Sequence, residues 1–136
     1  MTSSEHKESI LKVIEGRKLM HITFIGDKNG YVIFNFDGPS LQAYTPPKIK
    51  SGKTAFRLGE SGYYDSLCSQ ITKTVKAISE ELEKITIEFE DKTQIEISLK
   101  DEDSVCAESA MFNVNMGSKE WMVWRPGDEE LSFSKD

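Results

Sequence analysis

Two stretches of this 136-residue chain share one pattern, and that pattern limits the fold more than any other feature. The first runs from Lys18 to about Tyr44, KLMHITFIGDKNGYVIFNFDGPSLQAY. The second runs from Lys73 to about Leu99, KTVKAISEELEKITIEFEDKTQIEISL. Each reads as a strand, a turn, a strand ending in Phe and an acid, a second turn and a third strand. Val32, Phe34 and Phe36 align with Ile85, Ile87 and Phe89. Leu41 and Ala43 align with Ile95 and Ile97 after one extra turn residue. Apolar residues at period two place one face of a sheet against a core. The expected fold is α+β, mostly antiparallel sheet built from two β-rich pseudo-repeats.

Outside the repeats the chain adds little regular structure. Ile10, Leu11, Val13 and Ile14 recur at helical spacing, so residues 3–15 predict an N-terminal helix with Gly16 as its stop. Residues 45–62 carry Pro46, Pro47, Gly52, Gly59 and Gly62 with Lys48, Lys50, Lys53 and Arg57 between them, and read as a loop joining the halves. Tyr63 to Ile71 reads as a short central helix whose apolar stripe is Tyr64, Leu67, Cys68 and Ile71, with the Cys68 thiol buried. Tyr31, Ile33 and Asn35 make the second face of their strand largely apolar, which predicts a strand covered on both sides. The segments AMFNVNM and WMVWR predict two further strands, and residues 126–136 a frayed tail. The length fits a single domain, 1–136, with a core that needs no metal or disulfide.

The two copies differ in charge. Residues 79–103 hold ten acids and three lysines, whereas the net charge of the whole chain is −6. In the second copy Ile85, Ile87 and Phe89 point inward and Thr86, Glu88 and Glu90 outward. Ile95, Ile97 and Leu99 point inward, with Gln94, Glu96 and Ser98 outward. Glu88, Glu90 and Glu96 are then expected on one outer face, as like charges across strands. Such a face suits a basic partner. Glu80, Glu81 and Glu83 sit at the neighbouring turn, Asp91 at the hairpin, and Trp124 is the candidate aromatic anchor. An acidic total argues against direct contact with nucleic acid. No long apolar run suggests a membrane span, and no hydrophobic segment follows Met1, so the expected location is the cytoplasm.

Catalytic material is sparse. His6 and His21 have no partner at metal-ligand spacing, and Cys68 and Cys106 lack a local nucleophile signature. The glycines at 26, 30 and 38 match no phosphate-loop fingerprint. The expectation is a binder, with no catalytic, metal or cofactor residues. One alternative is a small-ligand or regulatory domain whose cleft lies between the pseudo-repeats, lined by Tyr44, Tyr63 and Trp124. Another is an enzyme using Cys68 or Cys106.

Four motifs in order, FDGP at 36–39, GYYDSLC at 62–68, the FEDK hairpin at 89–92 and AESAMF at 107–112, resemble a group of small bacterial proteins. The resemblance covers about residues 16–125. Lys92 stands where the hairpin of that pattern has Gly, and Cys106-Ala107 where it has Gly-Pro, with Glu108 kept. Chains of this kind resemble immunity proteins, which neutralise polymorphic or contact-dependent toxins. The resemblance implies a cytoplasmic binder of a cognate toxin, a basic nuclease being the natural fit to the acidic surface.

Overall fold

The structure is a computed structural model that describes residues 11–26, 31–81, 83–100, 110–113, 120–124 and 132–135, the last two stretches as backbone only. A 3-10 turn, Lys12–Ile14, leads into β1 (His21–Ile25), β2 (Tyr31–Asn35), β3 (Ser40–Ala43), β4 (Lys48–Ser51) and β5 (Thr54–Phe56). Helix α1 (Tyr63–Cys68) follows, then β6 (Val75–Glu80), β7 (Lys84–Phe89), β8 (Gln94–Ser98), β9 (Ala110–Asn113), β10 (Glu120–Trp124) and β11 (Ser132–Lys135). The strands form two antiparallel sheets, one ordered β1-β2-β3-β9-β10-β11 and the other β5-β4-β8-β7-β6. The mostly antiparallel architecture is the expected one. Its helical part is smaller than expected: one short helix and a 3-10 turn among the described residues.

Each of the two similar segments forms a three-stranded meander, β1-β2-β3 in one sheet and β6-β7-β8 in the other. Their pairings correspond. Phe34 faces Leu41 and Val32 faces Ala43 in the first; Ile87 faces Ile95 and Ile85 faces Ile97 in the second. The two lead-in segments meet in an antiparallel bridge, Lys18 to Thr74. Around it the Gly16 N–H donates to the Val75 carbonyl and the Val75 N–H to that of Arg17. The Glu15 carboxylate accepts from the Ile78 N–H at 3.0 Å, so residues 15–19 cover part of the outer edge of β6.

One core serves both sheets. Phe34, Leu41, Ala43 and Phe112 come from the first, Ile49, Ile85, Ile87, Phe89, Ile95 and Ile97 from the second, Leu11, Ile14 and Leu19 from the segment before β1, and Tyr63 and Leu67 from α1. Each inward strand residue that the alternation predicts in β7 and β8 is buried. On the other face of β2, Tyr31, Ile33 and Asn35 are only half-buried rather than covered. Their exposure is reduced in part by the Tyr31–Tyr44 ring contact at 5.0 Å.

Three local expectations are corrected. Residues 48–56 are not loop but the β4–β5 hairpin, because Ile49 is buried and β4 closes the open edge of β8. In α1 the period is right and the phase is one residue off. Tyr63 and Leu67, followed by Gln70, are buried, whereas Tyr64 and the Cys68 thiol are exposed. The helix also stops at Cys68, short of Ile71. Finally, Ser132–Lys135 pair with β10 as β11, inside the tail expected to fray. Most of the N-terminal helix expected over residues 3–15, with His6, and also Cys106 and Glu108, lie outside the described residues.

Candidate functional site

The outer face of the second sheet carries the charged residues, and register decides which of them meet. Lys48 on β4 lies directly opposite Glu96 on β8, with Lys50 paired to Gln94 beside it. On the other flank Lys84 pairs with Ser98 and Thr86 with Glu96. Glu96 therefore has one lysine opposite it and two on the diagonals, all within side-chain reach. The Lys50 ammonium stands 3.0 Å from Oε2, Lys84 3.4 Å from the same oxygen, and Lys48 3.4 Å from Oε1. Only 8% of the Glu96 side chain is exposed. Burial pushes its carboxyl up, but the hydrogen bond and charge of Lys50, with Lys84 and Lys48 behind it, outweigh burial and hold it below its ordinary range.

Beside this cluster opens a cleft of about 750 Å³. Besides the cluster, its lining includes Thr45, Pro46 and Pro47, then Arg57 and Leu58, and Lys100 with Glu81 and Glu83. The Thr45–Pro47 stretch is held in place by two hydrogen bonds. The Thr45 hydroxyl donates to the Ser98 carbonyl at 2.9 Å, and the buried Tyr63 hydroxyl donates to the Pro47 carbonyl at 2.7 Å. The cleft thus has cations from Lys48, Lys50, Lys84, Lys100 and Arg57 and carboxylates from Glu81, Glu83 and Glu96.

The acidic residues singled out in the sequence do not form one surface. Glu81 and Glu83 lie just before β7, whereas Glu88 is near its far end and Glu90 and Asp91 lie in the following turn. Four strand residues separate Glu83 from Glu88 and six separate it from Glu90, spans on the order of 15–25 Å. Glu96, between them, is neutralised by lysines rather than unrelieved. Glu80 is on the inner side: it pairs with Ile85 and is buried. Glu90 is exposed beyond the ladder, its N–H donating to the Thr74 carbonyl. Asp91 accepts from Lys73 at 2.7 Å and from the Thr93 N–H at 3.0 Å. The Lys73 hydrogen bond, against a smaller opposing effect of burial, brings its carboxyl down to about 2, with Thr93 assisting. Trp124 pairs in register with Ala110, and its side chain lies outside the described residues.

Reading residues 45–62 as a loop hid Lys48 and Lys50 from the site. The signal that could have found them is the Lys48-Ile49-Lys50 alternation, which presents both lysines on the face opposite a buried Ile. The expected aromatic cleft is also relocated. Tyr63 is buried and Tyr44 bonds Gln42 at 2.6 Å, and neither lines the cleft described above. His21 stands exposed on β1, as the alternation predicts. Among the described residues no His, Cys, Asp and Glu group is arranged to hold a metal ion. No family model matches the chain, and neither does any curated protein or solved structure.

Proposed function

We propose that this chain is a cytoplasmic binding protein, not an enzyme, that neutralises a partner protein in the manner of an immunity protein. The observation that carries this reading is the mixed-charge cleft on the outer face of the second sheet. Its lysines are already held by Glu96 and its acids stand apart at Glu81 and Glu83. Charge fixed before encounter favours fast, selective association with a partner of complementary pattern. The basic groups of a toxin domain, a nuclease in the simplest case, meet Glu81 and Glu83, and its acidic groups meet the lysines. The two meanders are read as copies of one unit, of which only the second carries this surface.

The test reads the adjacent gene, where a large secreted protein with a variable C-terminal domain is expected and a metabolic enzyme would refute the function, and then co-expresses the chain with that C-terminal domain. Protection and a 1:1 complex are expected, with an association rate that falls as salt rises. Glu81→Lys with Glu83→Lys should slow association about tenfold or more. A complex indifferent to both salt and these reversals would refute the surface, and absence of any complex would refute the function. The cleft volume also lies within the range of small-molecule sites, which favours a ligand-binding domain as the second reading. A metabolite that raises the melting temperature while no protein partner is captured would select it.

A further inference from the structure

The grouping of three ammonium groups on one carboxylate has a consequence independent of any protein partner. Lys48, Lys50 and Lys84 converge on Glu96 within 3.0–3.4 Å. Each ammonium has three donors, and one contact to Glu96 leaves the others for a ligand. The four side chains together carry two surplus positive charges. A structural ion pair needs one cation, and like charges gathered round a largely buried carboxylate repel one another. The surplus faces the cleft, where Arg57 and Lys100 add cations at the walls and neither forms an ion pair among the described residues. This is a local excess of positive charge in a chain whose total is −6.

We propose that the Lys48–Lys50–Lys84 cluster is a binding site for a small oxyanion of charge −2, a phosphate group foremost, with Glu96 as the residue that positions the three lysines. A dianion neutralises the cluster. Lysine serves such groups as a point charge with rotatable donors, suited to a tetrahedral oxyanion. Glu81 and Glu83 on the same cleft set an upper limit to the charge accepted, since their carboxylates repel an extended polyanion. The site shares the cleft assigned to the partner, but phosphate binding needs no partner and shows on the chain alone.

The experiment titrates the isolated protein with inorganic phosphate, with succinate and with sodium chloride at matched ionic strength, following melting temperature and, for phosphate, ³¹P line width. Phosphate should raise the melting temperature above the chloride control and broaden the ³¹P line. Lys50→Gln with Lys84→Gln should abolish both effects. Glu96→Gln, which removes the carboxylate that gathers the three ammonium groups, should weaken phosphate binding roughly threefold and lower the melting temperature of the unliganded protein. If that variant does not fold, the paired lysine variant carries the test alone. A succinate response equal to that of phosphate would support the site as one for dianions in general. A phosphate response no larger than chloride, or one retained in the lysine variant, would overturn the proposal.

Discussion

Single residues here act through turns and charge pairs. Asp91 has its carboxyl lowered from an ordinary 3.8 to about 2 by Lys73 and Thr93. A folded-state value below the unfolded one stabilises the fold above the unfolded value, and that contribution is lost as pH falls from about 4 toward 2. Glu96, also lowered, adds to the loss in the same direction. Lys73→Met should return the Asp91 titration toward 3.8 by carboxyl NMR. Its effect on stability at neutral pH should be under about 1 kcal/mol, since the pair is solvent-exposed. Lys92 presents a different case. It holds a left-handed φ of 75° at the turn after β7, a conformation that favours Gly. Lys92→Gly relieves a strain of ~1 kcal/mol and loses part of it to unfolded-chain entropy. The expected net gain is about 0.5 kcal/mol, read from urea denaturation.

Elements differ in how far they could be read from the chain alone. Strands β7 and β8 were legible because Ile85, Ile87, Phe89, Ile95 and Ile97 alternate over enough residues to fix both period and face. Strand β4 was not, because its one apolar residue, Ile49, sits between lysines and beside Pro46, Pro47 and Gly52. What makes it a strand is the edge of β8, more than forty residues further along the chain. Glu96, the one acid that β8 contributes, could thus be seen, while the two β4 lysines that balance it could not. The phase of α1 was lost for a similar reason. Tyr63 and Tyr64 are equally apolar by composition, and the one that turns inward, with Leu67, is the one whose hydroxyl reaches the Pro47 carbonyl. Tyr63→Phe should cost about 1–3 kcal/mol by leaving that carbonyl unsatisfied. Tyr64→Phe, on the exposed ring that packs edge-on against Phe24 at 5.3 Å, should change stability little. Thermal melts of the two variants check the contrast.

At the scale of the molecule, the shared core means that neither sheet is finished without the other. Phe34 and Phe112 of the first sheet belong to the same buried cluster as Ile87 and Phe89 of the second. Phe34→Ala should therefore cost about 3–5 kcal/mol and weaken both sheets together. Hydrogen exchange should report loss of protection at Ile87 and Ile95 as well as at Leu41. Loss confined to the first sheet would mean that the sheets unfold separately. The charged cleft opens on the outer face of the second sheet and is tied to this core where the Tyr63 hydroxyl donates to the Pro47 carbonyl of its lining.

The strand order also sets a sequence of events during synthesis. The second sheet has all its strands once Ser98 has left the ribosome, so β4 can pair with β8 and bring Lys48 and Lys50 to Glu96 while the chain is still growing. The first sheet cannot be completed then, because β3 waits for β9, which begins at Ala110. Until that residue emerges, the nascent chain carries the paired strands of the charged face over an incomplete core, and an open edge at β3, the kind of template on which neighbouring chains pair. Truncation between Ser98 and Ala110 should therefore leave a product prone to aggregate through the first sheet.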